Sequence, residues 1–192
     1  MPQDLTNMGM IGIKSTHGRY LQAHSDNGEM HASNQNRNTE ETWFLYQVDK
    51  AQKQYALMNW SNGWFMSHKA GTQCAPANAQ VLTNSEIWIL VDGAPLGALN
   101  AVAFKSLSDG AYLGAYGPGQ DTPCGGEVGC GDPSAPQARG DWPGWWVMEP
   151  ASAPAQGRDV WNTVAGAITA FGSQIINKLS PADIAAVLTA LA

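Results

Sequence analysis

One landmark recurs three times along this chain. Around Gly18 it reads IKSTHGRYLQAH, around Gly63 MNWSNGWFMSHK, and around Gly110 FKSLSDGAYLGAY. In each, a strand-like run meets a polar turn ending in glycine, and an aromatic–aliphatic pair follows: Tyr20-Leu21, Phe65-Met66 and Tyr112-Leu113. Gly18 and Gly63 are 45 residues apart, and Gly63 and Gly110 are 47. A second landmark keeps step with the first. The aromatic strands ETWFLYQVD, SEIWILVDG and PGWWVMEP lie downstream, and Gly18 to Trp43 and Gly63 to Trp88 are both 25 residues. Two independent landmarks at one spacing mark an internal repeat. A unit this short cannot bury its apolar face alone, so the copies must close around a shared core.

The turns STHG, WSNG and LSDG sit between alternating runs, where a hairpin needs the positive φ that glycine tolerates. Alternation then assigns faces. Tyr20, Gln22 and His24 point one way, and Leu21 and Ala23 the other. Leu21, Met66 and Leu113 are the expected core set, joined by Trp43, Trp88 and Trp145. The third copy departs from the spacing, with 35 residues from Gly110 to Trp145. Its excess falls in the Gly/Pro-rich segment 117–144, which reads as a surface loop with little regular structure. With 21 glycines, 11 prolines and 8 tryptophans, the chain reads as mainly β over most of its length.

The pattern hydrophobic-x-S-x-x-G-x-Y-L-x-A followed by a W-x-L strand resembles the fascin-like β-trefoil family. IKSTHGRYLQA with TWFLYQV is its best copy. The resemblance covers residues 8–150 and implies three-fold closure there, within a trefoil domain of 1–150 with copies at about 8–50, 53–94 and 100–150. The Q-x-W signature of ricin-B-type trefoils is absent, so the sugar sites of that family do not carry over. Fascins use several tandem trefoils and here one acidic trefoil stands alone, so actin binding ranks third among the functional readings.

Composition narrows the partners. The chain of 192 residues carries 10 Lys+Arg against 16 Asp+Glu, a net charge of −6, with no basic run. Nucleic acid is therefore not an expected partner, and neither is an anionic membrane surface. The first ten residues show no basic, apolar signal segment, and the compartment stays open between the cytoplasm and a non-classical export route. No G-x-S-x-G, H-E-x-x-H or phosphate-cradling loop occurs, and an enzyme is not expected. His17, His24 and His31 are spaced by seven, but no C-x-x-C or H-x-x-x-H accompanies them. Asp121, Glu127 and Asp132 lack a calcium-loop frame. No metal and no cofactor is expected. Of three cysteines, Cys124 and Cys130 stand close enough for a loop disulfide, with free thiols as the alternative.

The best functional candidates are carbohydrate pockets. Sugar recognition combines an aromatic platform under the pyranose C–H face with a few polar side chains for the hydroxyls. After each aromatic–aliphatic pair the chain supplies such a mixture. The first copy offers His24, Asp26, Asn27 and His31. The second offers His68 and Gln73, with Trp60 or Trp64 nearby; the third offers Tyr116, Gln120 and Asp121. Trp60, Trp64 and Trp142 flank Gly/Pro turns and are expected to be partly exposed, so glycans are the expected partners. The alternative is a structural protein whose trefoil is only a scaffold.

After a small-residue linker at 151–157 the pattern changes. Val160, Val164, Ile168, Phe171, Ile175 and Leu179 step by four and three, the mark of one helical face. Ser180 and Pro181 open a second segment with Ile184, Val187, Leu188 and Leu191 on one side. The pattern predicts an α-helical hairpin appendage over 158–192. Its stripes read as a homo-oligomer interface, with docking on the chain's own trefoil or on another partner as alternatives.

Overall fold

The structure is a computed structural model; it describes residues 5–72, 74–96, 98, 100–116, 128–130 and 143–151. Each copy contributes four strands. The first gives β1 (Thr6–Ser15), β2 (Tyr20–Ala23), β3 (Met30–Asn34) and β4 (Thr42–Asp49). The second gives β5 (Gln54–Asn59), β6 (Phe65–Met66), β7 (Ala77–Ala79) and β8 (Trp88–Asp92). The third gives β9 (Val102–Ser106), β10 (Leu113–Ala115), β11 (Val128–Cys130) and β12 (Trp146–Pro150). Antiparallel pairing runs from β1 to β4, β5, β8, β9 and β12 and returns to β1. Six strands thus close into a barrel without a free edge, which removes the hazard of an unpaired strand. The other six form one hairpin per copy: β2–β3, β6–β7 and β10–β11. This is the β-trefoil arrangement.

The core shows why the repeat is strict. Leu21, Met66 and Leu113 are all fully buried. Above each lies an indole that donates to that residue's own carbonyl. Trp43 Nε1 reaches Leu21 O at 2.9 Å, Trp88 Nε1 reaches Met66 O at 3.2 Å, and Trp146 Nε1 reaches Leu113 O at 3.1 Å. A buried carbonyl left unpaired is costly, so tryptophan serves here as both filler and donor. The third member is Trp146, not the expected Trp145. Trp145 is also buried, but in a separate cluster with Ala101, Ala103 and Tyr112. Adjacent residues of an extended segment face opposite sides, so only one of the pair can reach the shared core.

The turn glycines take the predicted conformation, with φ of +75° at Gly18, +70° at Gly63 and +83° at Gly110. A backbone clasp then joins each copy to the one before it. The Trp60 amide donates to Thr42 O at 2.9 Å, and the Leu107 amide to Ile87 O at 3.0 Å.

Two expectations need correction. The segment 117–144 is not surface loop throughout: Val128–Cys130 form the short strand β11, paired with β10 and buried. The Cys124–Cys130 bridge is not made. Cys130 is a free, buried thiol, while Cys74 is disulfide-bonded. Burial, with a contribution from Asp109, pushes the Cys130 thiol pKa upward. The expected helices at 158–192 lie outside the described residues.

Candidate functional site

Backbone hydrogen bonds fix which residues are equivalent in the three copies. The amides of Ala23, His68 and Ala115 donate to Glu40 O, Ser85 O and Pro143 O, each three residues before a core tryptophan. His68 therefore occupies the position of two core alanines, not that of His24. Its side chain is fully buried, with its ring 6.4 Å from that of Trp88. Nδ1 lies 3.0 Å from Cys74 O, and Nε2 lies 3.1 and 3.0 Å from the two carboxylate oxygens of Asp109. Both ring nitrogens thus face oxygen atoms of neighbouring segments of the chain. Asp109 also accepts from the amides of Ala111 and Gly71. Burial works against its ionisation, but these amides and His68 outweigh it and hold its pKa below the usual value. His68 is a staple between the second and third copies. The expectation that it faces a sugar is wrong.

Trp60 is corrected too: it is 6% exposed and packs on Phe44 at 5.1 Å between ring centroids. Its Nε1–H has no acceptor among the described residues. Trp64 is half-buried, as is Tyr116, whose hydroxyl pKa burial raises. Gln73, Gln120, Asp121 and Trp142 lie outside the described residues.

The first copy keeps its polar group at the surface. His24 opens the turn between β2 and β3; its amide donates to Glu29 O at 3.0 Å, and Gly28 N returns to His24 O at 2.8 Å. The rings of His24 and His31 meet edge to face at 4.8 Å. Both are half-buried, while Asp26 and Asn27 are exposed. Asn27 shapes the turn: its Oδ1 accepts from the Glu29 amide at 2.8 Å, and its Nδ2 donates to Glu29 Oε2 at 3.2 Å. Glu29 Oε1 lies 3.6 Å from His31 Nε2.

Beneath this hairpin is a polar network that sequence reasoning missed. Glu40 accepts from Gln22 Nε2 at 2.6 Å and from the Ser25 amide at 2.9 Å. Burial disfavours its charge, but these donors and nearby His24 prevail, so its pKa falls below the usual carboxylate value. Gln22 Oε1 accepts from Asn34, whose amide nitrogen also donates to buried Glu41 at 2.6 Å. A signal for Glu41 existed. ETW and EIW place a glutamate two residues before a core tryptophan, and Glu41 and Glu86 both bond the amide three residues upstream. Among the described residues no group of three His, Cys, Asp or Glu side chains could hold a metal ion, and no helix is long and apolar enough to cross a membrane.

These features define a β-trefoil, and comparison with solved structures agrees. One neighbour, described as a BEL beta-trefoil, superposes with a TM-score of 0.58 at 13% identity, covering 75% of this chain and 94% of its own. SeviL bound to asialo-GM1 saccharide gives 0.55 at 10% identity, covering 74% and 98%. A Polyporus squamosus lectin bound to a human-type influenza-binding epitope gives 0.57 at 16% identity, covering 74% of this chain and 49% of the lectin. At these identities the likeness shows the fold alone. No protein-family model and no curated protein matches the chain.

Proposed function

We propose that the protein is a non-enzymatic, lectin-like β-trefoil that binds carbohydrate. The observation that carries this reading is the β2–β3 hairpin, where the His24 and His31 rings meet, with Asp26 exposed in the same turn, over a Glu40 carboxylate that holds Gln22 and the Ser25 amide. Donors and acceptors held in place in this way suit the hydroxyls of a pyranose, which a solvated flexible loop would bind only at an entropic cost. Two of the trefoil neighbours are described as bound to saccharides, which adds support by analogy of fold. A glycan array probed with the full-length protein tests the reading. Selective binding to related saccharides is expected. An array with no signal would instead favour the scaffold function.

The apolar stripes from Val160 to Leu179 and from Ile184 to Leu191 support a second element of the proposal. They assemble several copies of the chain and so display its sites together. Weak single-site affinity is then multiplied by avidity.

A further inference from the structure

The three copies differ where each passes into the next, and the difference singles out one junction. The carbonyl that closes each turn belongs to Arg19, Trp64 and Ala111, which accept from the amides of Ser15, Asn59 and Ser106. Only the second copy places an indole there. One residue beyond the Ala23, His68 and Ala115 positions stand His24, Lys69 and Tyr116.

At the junction of the second and third copies, His68 and Asp109 bind each other, and the closing residue is Ala111, which offers no platform. At the junction of the third and first, the closing residue is Arg19, which offers no aromatic platform and whose guanidinium donates to the Ser33 carbonyl. The junction of the first and second is different. Asn62, the counterpart of Asp109, is buried and reaches backbone on both sides. Its Nδ2 donates to His24 O at 3.3 Å, and its Oδ1 accepts from the Trp64 amide at 2.9 Å. One side chain thus ties the base of the polar hairpin to half-buried Trp64. The hairpin also rests on the second copy, since the Ala77 amide donates to Gly28 O at 2.8 Å. Gly28 has a φ of +72°, and a Cβ there would lie 2.2 Å from Ala77 O. The close approach therefore depends on glycine.

We infer that the glycan site at this junction is composite: Trp64 of the second copy with His24, Asp26 and His31 of the first. This inference rests on the carbohydrate reading and deepens it. An indole face suits the C–H face of a pyranose, and the carboxylate and imidazoles suit its hydroxyls. The carboxylates of Asp26, Glu29 and Glu40 surround the hairpin, in a chain of net charge −6. They repel an acidic sugar, so the ligand class is a neutral hexose or N-acetylhexosamine rather than a sialic acid.

The test is a ¹⁵N–¹H NMR titration of the full chain with methyl glycosides of galactose, mannose and N-acetylglucosamine, and with sialyllactose. One neutral glycoside should shift the amides of 24–31 and the Trp64 indole N–H together, along one titration curve. Trp64→Ala and Gly28→Ala should each weaken binding about ten-fold or more, as loss of a central aromatic anchor or of its placement does. Lys69→Ala should leave affinity within about two-fold, as expected away from the site. The inference is overturned if Trp64→Ala keeps a native spectrum and unchanged affinity, if shifts cluster instead around 112–116, or if sialyllactose binds more tightly. If no saccharide shifts any resonance, the carbohydrate reading fails and takes the composite site with it.

Discussion

At the scale of single residues, the tryptophans show how one side chain can serve two purposes. Trp43, Trp88 and Trp146 fill the core and each donates to a buried strand carbonyl. Trp146→Phe should therefore cost about 0.5–1.5 kcal/mol beyond any packing loss, because the buried hydrogen bond to Leu113 O is removed. Chemical denaturation of wild type and variant checks this. Leu21→Ala, which removes a fully buried side chain, should cost about 2–5 kcal/mol by the same measurement. Asp109 and Glu40 set an acid limit. Both have pKa values depressed in the folded state, so their contribution is present above the unfolded carboxylate pKa of about 4 and is lost as pH falls through the lower folded values. Thermal unfolding from pH 6 downward should show stability declining below about pH 4. Asp109→Asn should reduce that decline; an unchanged pH profile would remove Asp109 from the account.

At the scale of elements, cysteine placement gives a direct check. Cys130 lies in β11, buried and free, and Cys74 is bridged. In protein taken from an oxidising compartment, mass spectrometry after alkylation should find Cys130 unmodified in the native state and modified on unfolding. Alkylation of Cys74 without reductant would contradict the pairing. The same region shows what the sequence could and could not convey. The hairpins of the first two copies were legible, because glycine turn, aromatic–aliphatic pair and tryptophan kept one spacing. The third was not, because the long insertion hides β11 among Gly and Pro, and two adjacent tryptophans blur the register. His68 was misread for a related reason. Sequence offset placed it near His24, whereas the backbone hydrogen bonds align it with Ala23 and Ala115. One residue of register decides whether a side chain meets the core or the solvent. The exposed hairpin at 24–31 was legible from its composition. The Asn62 bridge that sets it beside Trp64 was not, since it is a contact between copies.

At the scale of the whole molecule, three similar copies build one barrel, yet the described parts of the first and second diverge. The second sets a histidine at a core-alanine position as a staple, and the first carries a polar hairpin at its surface. Such divergence leaves the fold intact because the shared core rests on other positions. The stripes at 158–192 add the expectation of assembly. Light scattering should find full-length protein oligomeric and a chain ending at Gln156 monomeric. A monomeric full-length protein would remove multivalent display and leave the trefoil reading untouched. The central claim is that this trefoil binds a pyranose through its C–H face and hydroxyls. Saturation-transfer difference NMR on the full-length protein with neutral methyl glycosides at millimolar concentration tests it most directly. The account predicts transfer to the ring C–H protons of at least one glycoside, lost in Trp64→Ala; no transfer to any of them would contradict it.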